Sequence, residues 1–219
     1  MPSATFEKLA TSKKEAFIAA FLVEFATHSY EKASISTVVK QLGIAKGSVY
    51  QYFENKMDLF LYLKHYAEQQ KGQFIRQVKR EDFPDFWSYW RQLYEQGIAF
   101  DAAYPLEMRF LYNLQEQSSP ALQFMKAAWE EQGIQIYTQL ISYEVEQGHF
   151  RKDLSPVAMA HFILAVGYGI NKRLVAQVES HQKKGTAGLL TAADKTLLIN
   201  LVEEQIVLLQ AAFSPPKHT

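Results

Sequence analysis

Residues 34–56 have the sequence SISTVVKQLGIAKGSVYQYFENK, and this stretch decides the fold. Two short segments with apolar residues at helical spacing flank Gly43. Ser34 is a good N-cap for the first segment, since its hydroxyl can accept a bond from a free backbone amide of the first turn. Gly43 suits the left-handed position at which a helix ends. The stretch therefore predicts a helix-turn-helix whose recognition helix is residues 46–53.

The neighbouring segments also have helical patterns. Phe17, Phe21 and Phe25 form an apolar stripe within a first helix predicted at residues 12–28, and this stripe is expected to be core. Asn55, with Asp58 three residues later, favours the start of a long helix that continues to about residue 78. A polar segment at residues 79–84 ends this part of the chain.

Helical periodicity continues to the end of the chain and strand signals are nearly absent, so we predict an all-α fold of about nine helices. The remaining helices are expected at residues 86–100, 106–116, 121–147, 155–178 and 191–213, with a polar loop at residues 180–188. We predict an N-terminal three-helix DNA-binding domain (residues 1–56), a connecting helix (57–82) and a C-terminal ligand-binding and dimerisation domain (83–219).

Composition narrows the class of protein. The 219 residues contain no cysteine, which excludes disulfides, thiolate metal sites and cysteine nucleophiles and suits a reducing cytoplasm. Charges balance at 23 basic and 23 acidic residues, so DNA binding would need a shaped surface rather than a strong positive field. The longest apolar run, residues 157–170, is too short to span a bilayer. We expect a soluble cytoplasmic protein that does not engage membranes.

The run Gly47-Ser48-Val49-Tyr50-x-Tyr52-Phe53-x-x-Lys56, after Leu42-Gly43-Ile44, resembles the TetR (tetracycline repressor) family of bacterial transcriptional regulators. The resemblance covers residues 18–60 and implies a homodimeric repressor that a small molecule releases from operator DNA. The chain departs from the family pattern at Ser29, at Val39 and at Ala45. Ala45 stands where the family commonly has a serine N-cap, and losing such a cap typically costs ~1 kcal/mol.

The recognition helix carries the side chains expected to contact double-stranded DNA. Gly47 allows close approach, Gln51 can pair with adenine, and Lys46 can donate to guanine or to a phosphate. Ser48 can contact either a base or a phosphate. The resemblance implies phosphate contacts by the two tyrosines and by the residues at the starts of the flanking helices. The full predicted set is Ser34, Lys46, Gly47, Ser48, Tyr50, Gln51, Tyr52 and Lys56.

Residues 83–137 contain all three tryptophans and nearly half of the chain's aromatic residues. Ligand sites are mostly apolar with a few polar anchors, so this region is a candidate pocket wall for an aromatic or lipophilic effector. The alternative is that the aromatic residues only pack a core. The predicted ligand-binding residues are Trp87, Trp90, Tyr94, Glu107, Arg109, Phe110, Asn113, Phe124, Trp129, Tyr137 and His161.

The last two predicted helices are long and apolar, which suits a four-helix interface between two copies of the chain. The alternative is that they only close the core of one copy. The predicted interface residues are Phe162, Val166, Ile170, Leu198, Leu201, Gln205 and Leu208.

The sequence can also be compared with two other classes of protein, an enzyme and a helical binding protein. An enzyme is disfavoured because the sequence lacks a phosphate-binding glycine loop and paired metal-ligand motifs. Glu146-x-x-His149 has the spacing of half a di-iron motif, but no second pair occurs. We therefore predict no enzymatic activity, no metal and no cofactor. The remaining alternative is a helical ligand-binding or adaptor protein that does not bind an operator.

Overall fold

The structure is a computed structural model that describes residues 2–183 and 191–216. Within these residues it contains ten α-helices, one 3-10 helix and no strand, which confirms the predicted all-α fold. The helices are α1 (Ala4–Glu7), α2 (Thr11–Thr27), α3 (Ile35–Leu42), α4 (Lys46–Tyr52), α5 (Lys56–Ile75), α6 (Phe86–Ala103), α7 (Pro105–Glu116), α8 (Gln123–Glu146), α9 (Pro156–Lys183) and α10 (Ala192–Phe213), with the 3-10 helix at Arg80–Asp82.

Polar caps set the starts of three helices, two of them at the predicted residues Ser34 and Asn55. The Ser34 hydroxyl accepts from the amide of Thr37 at 3.2 Å at the start of α3. The Asn55 side chain accepts from the amide of Asp58 at 2.9 Å at the start of α5. Thr191 and Asp194 form a reciprocal capping box at α10. These polar residues satisfy amides that a helix leaves without internal partners, which is why they mark helix starts in the sequence.

Two features of the helical pattern were not predicted. Helix α1 has only four residues and one buried side chain, Phe6, so it has no periodicity to detect. Helix α9 continues to Lys183 and so occupies part of the predicted loop at residues 180–188. Residues 184–188 of that loop lie outside the described residues.

The helices form two compact units. Unit 1 contains residues up to 74 together with residues 103–121, and unit 2 contains residues 75–102 together with those that follow 121. These units divide the chain differently from the predicted boundaries at residues 56 and 82. The reason is that α7 packs against α2 and thereby joins the N-terminal unit.

The core of unit 1 is largely aromatic. Phe17, Phe21 and Phe25 are each at most 3% exposed, which confirms that the α2 stripe is core. The Phe60 ring lies 5.2 Å from that of Phe25 and 5.3 Å from that of Phe110, between ring centroids, so α2, α5 and α7 meet at this point. Buried aromatic pairs in such arrangements add about 0.5–1.5 kcal/mol beyond the burial of their area.

The core of unit 2 is formed by α6, α8, α9 and α10. Helix α10 is the one described helix that is long and apolar enough to cross a bilayer. However, its residues Leu198, Val202, Ile206 and Leu209 form a stripe that is at most 2% exposed and packs inside the unit. Its apolar composition therefore reflects, in part, a role as a core helix.

A fully buried carboxylate also lies in unit 2. Glu144 is 0% exposed and accepts two bonds from the Arg80 guanidinium, at 2.6 Å from Nε and 3.2 Å from Nη2. The His149 Nδ1 atom lies 2.8 Å from the same carboxylate. Because a buried charge without a partner is very costly, Arg80 fixes the segment after α5 to α8.

We expect Arg80→Ala to lower the free energy of unfolding by about 3 kcal/mol, because it leaves Glu144 buried without its main partner. Urea unfolding monitored by circular dichroism measures the change. Arg91→Ala is the matched control, since Arg91 pairs with Glu203 where both side chains are more than a third exposed. The control should lose no more than about 1 kcal/mol. Equal losses in the two variants would contradict the role assigned to Glu144.

Candidate nucleic-acid interface

Helices α3 and α4 form the predicted helix-turn-helix. Gly43 adopts φ 65°, and the turn is closed by bonds from the Gly43 amide to the Lys40 carbonyl and from the Ile44 amide to the Val39 carbonyl. A residue with a Cβ atom would be strained at this φ value. The glycine therefore fixes the angle at which α4 leaves α3.

Helix α4 separates its buried face from its exposed face. Val49 and the following Phe53 are each 1% exposed, whereas Tyr50 is 48% exposed. Lys46, Gly47 and Gln51 are also exposed. No atom would lie within 4 Å of a Cβ atom built on Gly47, so the helix backbone is open to close approach there. This arrangement leaves donors, acceptors and accessible backbone along one exposed surface.

The remaining predicted DNA contacts are only partly exposed. Ser34 and Ser48 are half-buried, and the Ser34 hydroxyl is already engaged as the cap of α3. Tyr52 was expected on the outer face of α4, but its ring packs 5.5 Å from that of Phe6 and 5.7 Å from that of Phe17. The ring of Tyr52 is therefore held by aromatic neighbours from the N-terminal helices.

Helix α4 begins without a side-chain cap, because Ala45 has an N-cap backbone conformation but no side-chain acceptor. The sequence predicts this feature correctly. At the other end of α4, Ser3 donates from its hydroxyl to the Gln51 carbonyl and from its amide to the Tyr52 carbonyl, both at 2.8 Å. These contacts join positions almost fifty residues apart and could not be predicted from local sequence patterns.

Lys56 makes several contacts within unit 1. Its Nζ atom donates to the Ala33 carbonyl at 2.7 Å and to the Glu31 carbonyl at 3.3 Å, and it lies 4.9 Å from the centre of the Tyr30 ring. Burial lowers the pKa of Lys56, and the nearby Glu31 and Glu24 carboxylates oppose that shift. The predicted phosphate-binding lysine is thus also a structural tie between α5 and the α2–α3 loop (residues 28–34).

Helix α7 and the residues after it contact the end of α2 and the α2–α3 loop. The Asn113 amide donates to the Phe25 carbonyl at 3.1 Å, at the end of α2. The Gln117 side chain accepts from the Tyr30 amide at 2.7 Å, and the Ser119 hydroxyl donates to the Glu31 carboxylate. The bond from Ser119 is the main cause of a lowered pKa at Glu31. The α2–α3 loop is therefore bound both by α5 and by the segment 113–119.

The predicted ligand-binding residues fall into the two units. Glu107, Arg109, Phe110 and Asn113 belong to unit 1, where Phe110 is 1% exposed in the core. The others belong to unit 2, where their exposure differs widely. Trp87 and Trp90 are buried, Tyr94, Trp129 and Tyr137 are partly buried, and Phe124 and His161 are exposed, Phe124 by 88%.

Tyr94 and Tyr137 lie among apolar neighbours in unit 2. Burial strongly raises the pKa of Tyr94, and it raises the pKa of Tyr137 to about 12. The Tyr94 hydroxyl lies 2.6 Å from the position of a Cβ atom at Gly167, so a larger residue at 167 would displace this hydroxyl. The Trp90 ring lies 4.6 Å from that of Tyr94. Both tyrosines pack against the hydrophobic core of unit 2, which accounts for the raised pKa values.

The predicted dimer residues are divided between core and surface. Ile170 and Leu198 are buried within the chain, whereas Phe162 and Leu208 are 51% and 62% exposed. Val166, Leu201 and Gln205 are partly buried. Further exposed apolar residues lie on the same two helices; they are Val157, Tyr168, Leu197, Ile199 and Val207.

The Glu146-x-x-His149 pair does not form a ligand pair. Gly148, at φ 77°, ends the helix between the two residues, and the His149 ring faces Glu144 instead. In the part of the chain that the structure describes, no three histidine, aspartate or glutamate side chains are grouped as metal ligands.

We expect Lys56→Met to lower the free energy of unfolding by about 1–3 kcal/mol, because the Ala33 and Glu31 carbonyls lose their ammonium donor. Urea unfolding measures the change. Lys32→Met, which removes an exposed charge from the same loop, is the control and should change stability by no more than about 0.5 kcal/mol. If both variants are equally stable, Lys56 is not a structural tie.

Comparison with known proteins relates the chain to bacterial transcriptional regulators. The family model "Bacterial regulatory proteins, tetR family" matches residues 17–63. A fatty acid metabolism regulator protein from Bacillus subtilis (strain 168) is 34% identical over 56 residues, and the alignment covers only 26% of this chain and 27% of that protein. The crystal structure of a TetR family transcriptional regulator from Chloroflexus aurantiacus J-10-fl is 26% identical and has a TM-score of 0.78 over 97% of this chain and 98% of that chain.

A further solved structure shares the fold at lower identity. The transcriptional regulator FadR from Bacillus subtilis, in complex with stearoyl-CoA, is 17% identical, with a TM-score of 0.67 over 90% of this chain and 97% of that chain. At this identity the likeness shows the fold alone.

Proposed function

We propose that the chain is a TetR-type homodimeric repressor of transcription in the cytoplasm, because residues 17–63 match the tetR family model and the fold is that of a TetR family regulator. In this proposal it binds a pseudo-palindromic operator, and a small lipophilic or aromatic effector releases it. Members of the tetR family are transcriptional regulators, which supports the prediction that the chain is not an enzyme.

The exposed surface of α4 is the observation that carries this proposal. Major-groove recognition needs a helix that approaches the base edges closely and presents directional donors and acceptors. Gly47 leaves open space, and Lys46 and Gln51 are exposed beside it. We assign base contacts to Gln51 and Lys46, with Ser48 able to contact a base or a phosphate.

Phosphate contacts are assigned to the residues that flank this surface. These are Ser34, Tyr50, Tyr52 and Lys56, whose contacts would fix the position of the protein on the duplex without reading sequence. An ammonium has three N–H donors, so Lys56 retains a donor for a phosphate while two serve carbonyls. Tyr52 would contact DNA by its hydroxyl while its ring remains packed against Phe6.

The proposed dimer uses the exposed apolar residues of α9 and α10. Phe162, Val207 and Leu208 are each more than half exposed. A second copy of the chain would cover them by a four-helix packing, which we favour over a membrane because the opposite stripe of α10 is buried in unit 2. A dimer also doubles the contacts, since one recognition helix of seven residues offers few.

Selection of duplexes from a randomised library by the full-length protein tests DNA binding. We expect an enriched pair of inverted half-sites. Gln51→Ala should relax base preference at one position of each half-site, at a cost of about 1–3 kcal/mol, because its bidentate contact is lost. Gln135→Ala, an exposed glutamine in unit 2, is the control and should select the wild-type sequence.

Three outcomes of the selection would count against the proposal. If no duplex is enriched, the chain does not bind an operator. If single half-sites are enriched, the homodimer is not the binding species. If Gln51→Ala selects the same bases as the wild type at every position, Gln51 does not read sequence.

The effector is proposed to bind unit 2 near Tyr94 and Tyr137. The structural relative bound to stearoyl-CoA suggests a ligand with a long acyl chain. We expect stearoyl-CoA to release the selected duplex in a fluorescence anisotropy titration, whereas coenzyme A without an acyl chain should not. Release by both compounds, or by neither, would contradict a lipophilic acyl effector.

The alternative is a helical ligand-binding or adaptor protein without operator binding. The selection and the titration separate it from the repressor. If the protein binds stearoyl-CoA in a direct calorimetric titration but enriches no duplex, the alternative is the correct assignment.

A further inference from the structure

We infer that the N-terminal segment (residues 3–7) is a positioning element for DNA recognition, which holds the C-terminal end of α4 in the conformation that contacts the operator. The inference rests on the proposed function. It concerns residues outside the stretch 17–63 that matches the family model. The residues assigned this role are Ser3 and Phe6, neither of which needs to contact DNA.

Ser3 provides the first set of contacts. Its amide and its hydroxyl donate, each at 2.8 Å, to the Tyr52 and Gln51 carbonyls. The last carbonyls of a helix have no partners inside the helix, so an external donor stabilises the final turn. Gln51 and Tyr52 carry two of the proposed DNA contacts, and Ser3 binds the backbone of both.

Phe6 provides the second set. It is 0% exposed, and its ring centroid lies 4.9 Å from that of Phe53, 5.5 Å from that of Tyr52 and 5.3 Å from that of Tyr62. One side chain thus fills the space between the end of α4 and α5. Since the Tyr52 ring packs directly against Phe6, the position of the Tyr52 hydroxyl depends on it.

A third set of contacts holds the segment to α2. Lys14 lies 5.2 Å from the centre of the Phe6 ring and 2.5 Å from the Glu7 carboxylate. Phe6 also packs 5.3 Å from Phe17, between ring centroids. The N-terminal segment is therefore fixed to α2 on one side and binds α4 on the other.

Helix α4 needs such support because it is short. It has seven residues and no side-chain cap at Ala45, whereas isolated helices shorter than about 12–15 residues are marginal in water. Its exposed face must stay free for DNA, so added contacts have to come from the buried face and from the helix end. The N-terminal segment supplies contacts at that end.

The experiment compares Phe6→Ala and Ser3→Pro with Phe86→Ala in the full-length protein. Ser3 has φ −73°, which proline accepts, so Ser3→Pro removes both donors, together with the cap that the Ser3 hydroxyl provides to the Phe6 amide. Phe86 is 1% exposed in unit 2 and is the control for loss of a buried phenyl ring. Affinity for the duplex selected by the wild type is measured at a temperature at which circular dichroism shows each variant folded. Amide exchange of residues 46–53 is followed without DNA.

We expect Phe6→Ala to bind the duplex at least about tenfold more weakly, a factor equal to ~1.4 kcal/mol, and Ser3→Pro to bind a few-fold more weakly. Both should exchange amides of α4 faster and show weaker base preference at the position read by Gln51. Phe86→Ala should keep wild-type exchange in α4 and wild-type base preference.

Wild-type affinity and base preference in both N-terminal variants would overturn the inference and leave the proposed function intact. Equal losses in Phe6→Ala and Phe86→Ala would overturn it as well, because a general loss of stability would then explain both. If Phe6→Ala does not fold, Phe6→Leu, which keeps an apolar side chain but removes the ring packed on Tyr52, replaces it under the same criteria. Failure of the wild type to enrich any duplex would instead refute the proposed function.

Discussion

A seven-residue helix that must expose one face cannot hold its own conformation, and the rest of unit 1 follows from this constraint. Helix formation has a costly nucleus, and most helical stability in proteins comes from packing. Helix α4 buries only Val49, with Phe53 directly after it. Its conformation therefore depends on elements that reach it from elsewhere, namely the Gly43 turn, the aromatic core and the N-terminal segment.

The same constraint explains why backbone atoms are the main polar partners in this region. Ser3, Lys56, Asn113 and Gln117 all bond to main-chain atoms of α4 or of the region around the end of α2. Hydrogen bonds to main-chain atoms fix the path of the backbone. They leave the outward-facing side chains available for other contacts. Each bond contributes about 0.5–1.5 kcal/mol net, so several are needed to hold a loop that has little apolar surface to bury.

Local signals made much of unit 1 predictable. Ser34, Asn55 and Gly43 act within three residues of their own positions, so their roles are visible in the sequence. The burial of Val49 and Phe53 follows from helical periodicity in the same way, whereas the packing of the Tyr52 ring against Phe6 does not. Contacts between residues that are far apart in the sequence leave no local sequence pattern. Neither the bond from Ser3 to the end of α4 nor that from Gln117 to Tyr30 could be anticipated, and the carbonyl contacts of Lys56 were missed for the same reason.

The candidate effector site was harder to predict than the DNA surface for a related reason. Aromatic residues at helical spacing fill cores and pocket walls alike, so their pattern cannot separate the two. The structure places Phe110 in the core of unit 1 and packs Tyr94 and Tyr137 against the core of unit 2. The assignment of an effector site to unit 2 is therefore a proposal that a binding measurement has to test.

The proposed action of an effector on DNA binding needs a connection between the two units, and the segment 103–121 is a covalent one. The chain passes from unit 2 into unit 1 at Ala103 and leaves it after Ala121. Within unit 1, Asn113, Gln117 and Ser119 bond to the end of α2 and to the α2–α3 loop. A displacement of α7 would strain these three bonds together, because all three residues belong to one short segment. Since that loop leads directly into α3, such a displacement would act on the helix-turn-helix through the backbone.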